Sequence, residues 1–346
     1  MYSHDKKISN LFRYWLIGTL VLIFTTIIIG GLTRLTDSGL SITRWEVISG
    51  IFPPFTDSSW EKAFNLYKEI PQFYLINQNI TLQEFKIIYY WEYAHRLLGR
   101  IFGLLFLIPF IYFFINKTFS KEFNLKLLTL FLLTLFQGFI GWYMVQSGLV
   151  ENTTVSHFRL AIHLNIALVL FVSIFWYFLN IFNTNKKYFF IMNREDIFIK
   201  FFVILLFFQI TLGAFTSGLD AGQIYQTWPS MNNNFFPDDY DLNKLALKDF
   251  FNDPSLVQFL HRNFAYLILI YFISIFYFVI KRRREYLYKP LYLVLVMILI
   301  QITLGIFTLT SGLNIALASL HQVSTTILLI SSMILSYVAS KKLVYI

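Results

Sequence analysis

The stretch Tyr89-Tyr90-Trp91-Glu92-Tyr93-Ala94-His95-Arg96-Leu97-Leu98-Gly99-Arg100 runs without a break into the charge-free segment Ile101 to Asn116. It therefore reads as the opening turns of a membrane-spanning helix. A Glu, a His and two Arg at that depth are costly in hydrocarbon and mark a functional site. Glu92 and His95 lie three residues apart, on one helical face. A second pair, His261-Arg262, heads another apolar run, and there Gln258 takes the place of the Glu.

Composition supports a membrane reading of the whole chain. The 346 residues are 57% hydrophobic and 20% aromatic but only 14% charged, against about 25% charged in a soluble domain. The net charge of +9 falls in short clusters between apolar runs, which is a topology signal rather than a nucleic-acid-binding surface. With no cysteine in the chain, disulfides, thiolate zinc sites, iron–sulfur clusters and a cysteine nucleophile are excluded. The polar N-terminal segment is short and no small-residue cleavage site follows the first apolar run, so it is not read as a cleavable signal.

About eight runs are long and apolar enough to cross roughly 30 Å of hydrocarbon. They are Tyr14 to Thr33, Ile87 to Asn116, Leu127 to Val150, Leu160 to Asn185, Phe201 to Leu219, Asn263 to Ile280, and two within the charge-free stretch Pro290 to Ser340. Ser311-Gly312-Leu313-Asn314 is the expected turn between the last two. Basic clusters such as Lys117, Lys121 and Lys126, Lys281 to Arg284, and Lys341 and Lys342 then fall on one side. The positive-inside rule makes that side cytoplasmic, with both termini. The acidic loop from Asp220 to Leu256, and the loop from about Thr36 to Lys86, lie outside.

The chain also repeats itself. Gln137-(x)3-Gly141-(x)5-Ser147-Gly148-Leu149 matches Gln301-(x)3-Gly305-(x)5-Ser311-Gly312-Leu313, and Gln209-(x)3-Gly213 with Ser217-Gly218-Leu219 shows the same pattern. The expected fold is all-α: eight transmembrane helices as two tandem four-helix bundles, related by a pseudo-twofold axis along the membrane normal. The halves are 1–190 and 191–346. The small-residue turns are read as close helix packing and span termination.

His95, His163, His261 and His321 stand on the even-numbered spans, each in its first few turns. Any one alone reads as a core histidine. Four of the six histidines at repeat-matched positions point instead to paired imidazoles, which is how helical bundles ligate haem iron. His157 is six residues from His163, about 240° round the helix, and is not expected to serve the same iron. His4 reads as solvated. For Arg96 and Arg262 two readings stand together: pairing with haem propionates, or snorkelling to headgroups. Glu92 is either a helix N-terminal charge or, facing the bundle, a proton-transfer group. Because Gln258 cannot exchange a proton, the asymmetry suggests a substrate half at the N-terminus and a cofactor half at the C-terminus.

Gly31-Leu32-Thr33-Arg34-Leu35-Thr36-Asp37-Ser38-Gly39-Leu40-Ser41, Glu92-(x)2-His95-Arg96, Arg159-Leu160-Ala161-(x)-His163-Leu164, His261-Arg262 and His321-Gln322 together resemble the haem A synthase family, over nearly the whole chain. The likeness is to the proteobacterial and mitochondrial type, which lacks a loop cysteine pair. The chain departs from the usual pattern at Arg44-Trp45-Glu46, which affects loop contacts rather than ligands. The resemblance implies oxidation of the C8 methyl of haem O to a formyl group by successive hydroxylations. It also implies haem b between His261 and His321, haem O between His95 and His163, and Glu92 as the catalytic residue. Candidate partners are haem O, the haem O-forming farnesyltransferase, an electron donor and a second copy of the chain, in the bacterial inner membrane. Two other readings are a dihaem cytochrome b passing electrons from quinol, and a transporter.

Overall fold

The computed structural model describes residues 6–45, 49–150, 152–181, 187–190, 196–239 and 250–340. His4, Glu46, Lys341 and Lys342 lie outside the described residues. The helices are α1 Lys6–Leu35, α2 Asp57–Tyr67, α3 Pro71–Leu75, α4 Leu82–Ile115, α5 Lys121–Gln146, α6 His157–Ile181, α7 Ile197–Gly218, α8 Pro254–Lys281, α9 Tyr288–Thr310 and α10 Ile315–Ala339. Every regular element among the described residues is helical apart from short 3-10 turns and a β-bridge between Met231 and Asn234. Eight of the helices, all except α2 and α3, are long and apolar enough to cross a membrane. The protein is thus an all-helical, multi-pass membrane protein.

The backbone hydrogen bonds of a spanning helix must close within the helix, because hydrocarbon offers no partner. Polar residues therefore cluster at the ends, where caps are needed. Thr81 and Glu84 form a reciprocal capping box at the start of α4. The Asp253 side chain accepts from Leu256 N at 2.9 Å at the start of α8, with Pro254 in the first turn. Asn314 caps α10 after a turn in which Gly312 (φ 71°) and Leu313 (φ 64°) reverse the chain, at the expected place. Helices α4 and α8 begin before the apolar runs read from the sequence; Glu92 and His95 sit inside helix as expected, and His261 and Arg262, just ahead of their run, do too.

The chain divides into two compact units, residues 1–171 and 172–346. In the first, α1 packs on α4, α4 on α5, α6 meets α5 through a Gln137–His163 hydrogen bond, and α1 meets α6 through Phe24 and Phe171. In the second, α7 neighbours α8, α8 neighbours α9, α9 neighbours α10, and α10 returns to α7. Each unit brings its four long helices into mutual contact.

One joint in the first unit shows how an apolar helix tolerates a break. Pro109 lies inside α4 and has no N–H to give Leu105, whose carbonyl would be stranded in hydrocarbon. The indole Nε1 of Trp15 on α1 donates to that carbonyl at 2.8 Å. Trp15 is 5% exposed and packs edge-on against Phe106. Trp15→Phe is expected to lower thermal stability in detergent by about 1–3 kcal/mol, the usual cost of an orphaned buried acceptor. Adding Pro109→Ala should recover much of that loss, because Ala supplies the missing N–H. An unchanged melting curve for Trp15→Phe would show that the carbonyl finds another partner.

At α4's opposite end, its first turns carry an aromatic cap. Trp60, Phe64 and Tyr67 of α2 bury against Phe85 and Tyr89 of α4, together with Leu40 and Val145. α4 has 34 residues, about 50 Å at roughly 1.5 Å per residue, which exceeds the hydrocarbon thickness. The cap covers the surplus.

Candidate functional site

The α1–α4 and α5–α6 interfaces carry the first pair of histidines. His95 lies midway along α4, and His163 lies in the second turn of α6. Their ring centres are 6.3 Å apart and the rings are nearly perpendicular, at 80°. Two metal–nitrogen bonds of about 2 Å each, plus the two ring radii, come to the same spacing. That spacing would let both imidazoles hold one metal ion.

In the second unit His261 stands on α8 and His321 on α10, within electrostatic reach of each other. All four histidines are half-buried.

Glycine makes room for each ring. A Cβ at Gly30 would lie 2.9 Å from His95 Nε2, and one at Gly141 would lie 2.9 Å from His163 Cε1. At Gly213 it would lie 3.0 Å from His261 Cε1, and at Gly305 2.9 Å from His321 Cε1. Each histidine thus lies in a notch on the preceding long helix that any side chain would fill. These glycines were visible in the sequence as repeat markers, but their role as ring notches was not.

The repeated glutamines work at the same place. The amide of Gln137 donates to the carbonyl of His163 at 2.9 Å, and that of Gln209 to the carbonyl of His261 at 2.9 Å. Gln301 Nε2 lies 3.2 Å from both ring nitrogens of His321 and donates to Thr325 Oγ1 at 2.6 Å; its Oε1 accepts from Ser324. The sequence offered Gln-(x)3-Gly as a signal, one turn apart on one face, but not its target.

Glu92 is 2% exposed, and its contacts link the first third of α4 to the loop after α1. Its Oε2 accepts from Ser41 Oγ at 2.7 Å and from Ile42 N at 2.8 Å, and its Oε1 accepts from Arg96 Nη2 at 2.6 Å. The Arg96 head also donates to Ile42 O at 2.9 Å and lies over the Trp45 ring at 5.2 Å. Its side chain is 10% exposed, too enclosed for a snorkelling cation. Asp37, at φ 50°, makes the turn that sends the chain back over α4, and Ser38 N closes it on Thr33 O at 2.9 Å.

In the second unit the residue at the corresponding place is Gln258 rather than a carboxylate. Gln258, also 2% exposed, donates to Tyr225 O at 2.8 Å, while its Oε1 has no partner among the described residues. Arg262 Nη2 donates to the carbonyls of Thr227, Pro229 and Ser230 at 2.9–3.2 Å. Its Nη1 is buried with no hydrogen-bond partner among the described residues. A buried guanidinium nitrogen in that state suits an anionic group from outside the chain. His157 is 8% exposed and packs on Phe158, away from this constellation's rings by sequence phase.

Residues 13–333 match the cytochrome oxidase assembly protein family, COX15-CtaA. The chain belongs to that family. Its similarity to curated members runs nearly end to end. It is 45% identical to "Heme A synthase" of Pelagibacter ubique (strain HTCC1062) over 337 residues, covering 97% of this chain and 99% of that one. It is 38% identical to the protein of the same name in Rickettsia africae (strain ESF-5) over 326 residues, 93% and 96% of the two chains. The Parvibaculum lavamentivorans "Heme A synthase" is 42% identical over 257 residues, 74% of each.

Proposed function

We infer that this chain is a haem A synthase, a membrane-bound oxidoreductase that converts the C8 methyl of haem O to the formyl group of haem A. The observation that carries the reading is the His95–His163 pair at iron-sharing distance, in a chain whose curated relatives bear that name. The dihaem electron carrier and the transporter have no comparable support.

The finer assignment follows from the asymmetry between the units. His95 and His163 would hold the iron of haem O as substrate. His261 and His321 would hold haem b, with Arg262 Nη1 meeting one of its propionates. Bound there, haem b supplies one-electron redox chemistry. The functional halves then correspond to 1–190 and 191–346, each a four-helix bundle, in the bacterial inner membrane with both termini cytoplasmic.

The chain's own residues do three things. The glycine notches and glutamine amides set the imidazoles. The α2 cap and the 36–45 loop close the end of the N-terminal bundle that carries Glu92, which limits water. Glu92 accepts three hydrogen bonds as a carboxylate, and that suits it to holding a fixed negative charge near the methyl as positive charge develops on carbon. Proton delivery, the other expectation, would require it to give up one of those donors.

The test is the pigment itself. Full-length protein is purified with and without co-expression of the haem O-forming farnesyltransferase, and the haems are extracted and identified by mass. Haem B alone is expected without the partner, and haems B, O and A with it. Haem B alone under both conditions would favour the electron-carrier reading.

A further inference from the structure

The connection between α1 and α2 ends in an exposed apolar turn. Phe52 is 68% and Phe55 77% exposed, their ring centres 6.2 Å apart, and Ile51 beside them is exposed too. Pro53 and Pro54 stand between the two rings in the chain. In water such a cluster is a liability. Its depth says what it faces.

Helix α4 supplies the scale. Ile101, Leu104, Ile108, Ile111 and Ile115 are exposed at spacings of three and four residues, which makes a lipid-facing stripe. The helix ends at Ile115, and Lys117 and Lys121 follow at headgroup level. From Ile115 back to Tyr93 is about 33 Å at roughly 1.5 Å per residue, close to one hydrocarbon thickness. Tyr93 therefore stands at the opposite boundary. It lies about three turns before Leu104, on the same side of the helix, and its hydroxyl donates to Ile51 O at 2.7 Å. That bond fixes Ile51 at boundary depth beside the lipid-facing stripe. Pro53 and Pro54 suit the place, because they have no N–H to strand where water is scarce.

A second apolar patch gives the contrast. Leu75 and Ile76, at the end of α3, line a cleft with Ile87 and Ile88 of α4. Ile87 is about 9 Å beyond Tyr93 along the helix axis, outside the hydrocarbon.

We propose that Ile51-Phe52-Pro53-Pro54-Phe55 is a membrane anchor, whose two phenyl rings lie at the acyl-chain boundary of the leaflet beside Tyr93. The occupant of this patch is lipid, not a second protein. The anchor holds the far end of the connection whose near end, at Asp37, turns back over α4, and whose Ser41 and Ile42 reach Glu92. Lipid thus helps to keep the donors on the Glu92 carboxylate in place. Nothing in this depends on the haem reading of the site.

The chain has no cysteine, so Phe52→Cys, Phe55→Cys, Leu75→Cys and Leu104→Cys each give full-length protein with a single nitroxide-labelling site. In phosphatidylcholine–phosphatidylglycerol nanodiscs, collisions with oxygen and with a water-soluble nickel chelate are read by electron paramagnetic resonance. Labels at 52 and 55 should favour oxygen over nickel, as the lipid-facing label at 104 does. The label at 75 should favour nickel several-fold. Phe52→Ser with Phe55→Ser should speed amide exchange at Ile42, whose N–H is bonded to Glu92, while Phe52→Trp with Phe55→Trp should leave it protected. Nickel access at 52 and 55 equal to that at 75, or loss of both collision partners there through cover by a second protein, would overturn the anchor. Unchanged exchange at Ile42 in the serine pair would overturn its hold on the Glu92 loop.

Discussion

Glu92→Gln is expected to keep both haem signals while formyl-haem yield falls by about 100-fold or more, the range seen when a preorganised group acting on the transition state is removed. The glutamine carbonyl can still accept from Ser41 Oγ and Ile42 N, so the loop after α1 keeps its attachment. The oxygen that faces Arg96 at 2.6 Å becomes an amide nitrogen, donor against donor, and the fixed negative charge is gone. Breaking one side of a buried ion pair costs about 3–5 kcal/mol in stability, so yield is compared only between preparations with equal C-terminal haem. Arg96→Leu separates the two contributions, because it removes the ion pair but leaves the carboxylate. If Glu92 acts only by holding the loop, the two variants should lose product alike. Full product yield from Glu92→Gln would reject the catalytic role outright.

The second large effect concerns the notches. Gly305→Ala and Gly213→Ala place a Cβ 2.9 Å and 3.0 Å from the rings of His321 and His261. Helix propensity alone favours Ala over Gly by about 1 kcal/mol, so a loss would come from the ring being pushed off its place. Overpacking of this kind costs about 1–3 kcal/mol, and a displaced ligand weakens the iron bond further. Haem content at the C-terminal site should therefore fall at least about tenfold. Gly99→Ala, Gly103→Ala and Gly138→Ala are the matched controls, since a Cβ at each meets nothing within 4 Å. They should leave haem content unchanged. Undiminished haem in Gly305→Ala would remove the notch from the account of ligand placement.

Much of the architecture was legible because hydrophobic length is a local property. The eight spans and the turn at Ser311-Gly312-Leu313-Asn314 follow from runs of apolar residues and from the positive-φ turn that Gly312 permits. The starts of α4 and α8 were placed too late. Their cues, Thr81 with Glu84 and Asp253 with Pro254, were present, but they lie among polar and charged residues that a hydrophobicity reading excludes. α2 and α3 were hidden in a loop whose amphipathic helices bury against α4 rather than against lipid.

The candidate ligands, too, came from sequence, since four histidines at repeated positions need no tertiary information to be noticed. What the residues alone left open was the partner of each. Ser41 and Ile42 reach Glu92 across about fifty residues of intervening chain, and no local pattern encodes a closure of that length. The pairing of His95 with Gly30, or of Gln137 with His163, depends on the rotation of one helix about its axis relative to the next. In helices that are apolar on nearly every face, periodicity carries little information about that rotation. The sequence by itself determined which segments span the membrane and which side chains are chemically unusual there. The tertiary structure decided which of those side chains meet, because helix packing, not composition, sets the facing surfaces. It turned the Glu92 stretch from an isolated polar cluster into a carboxylate tied to a loop, beside a histidine set in a glycine notch.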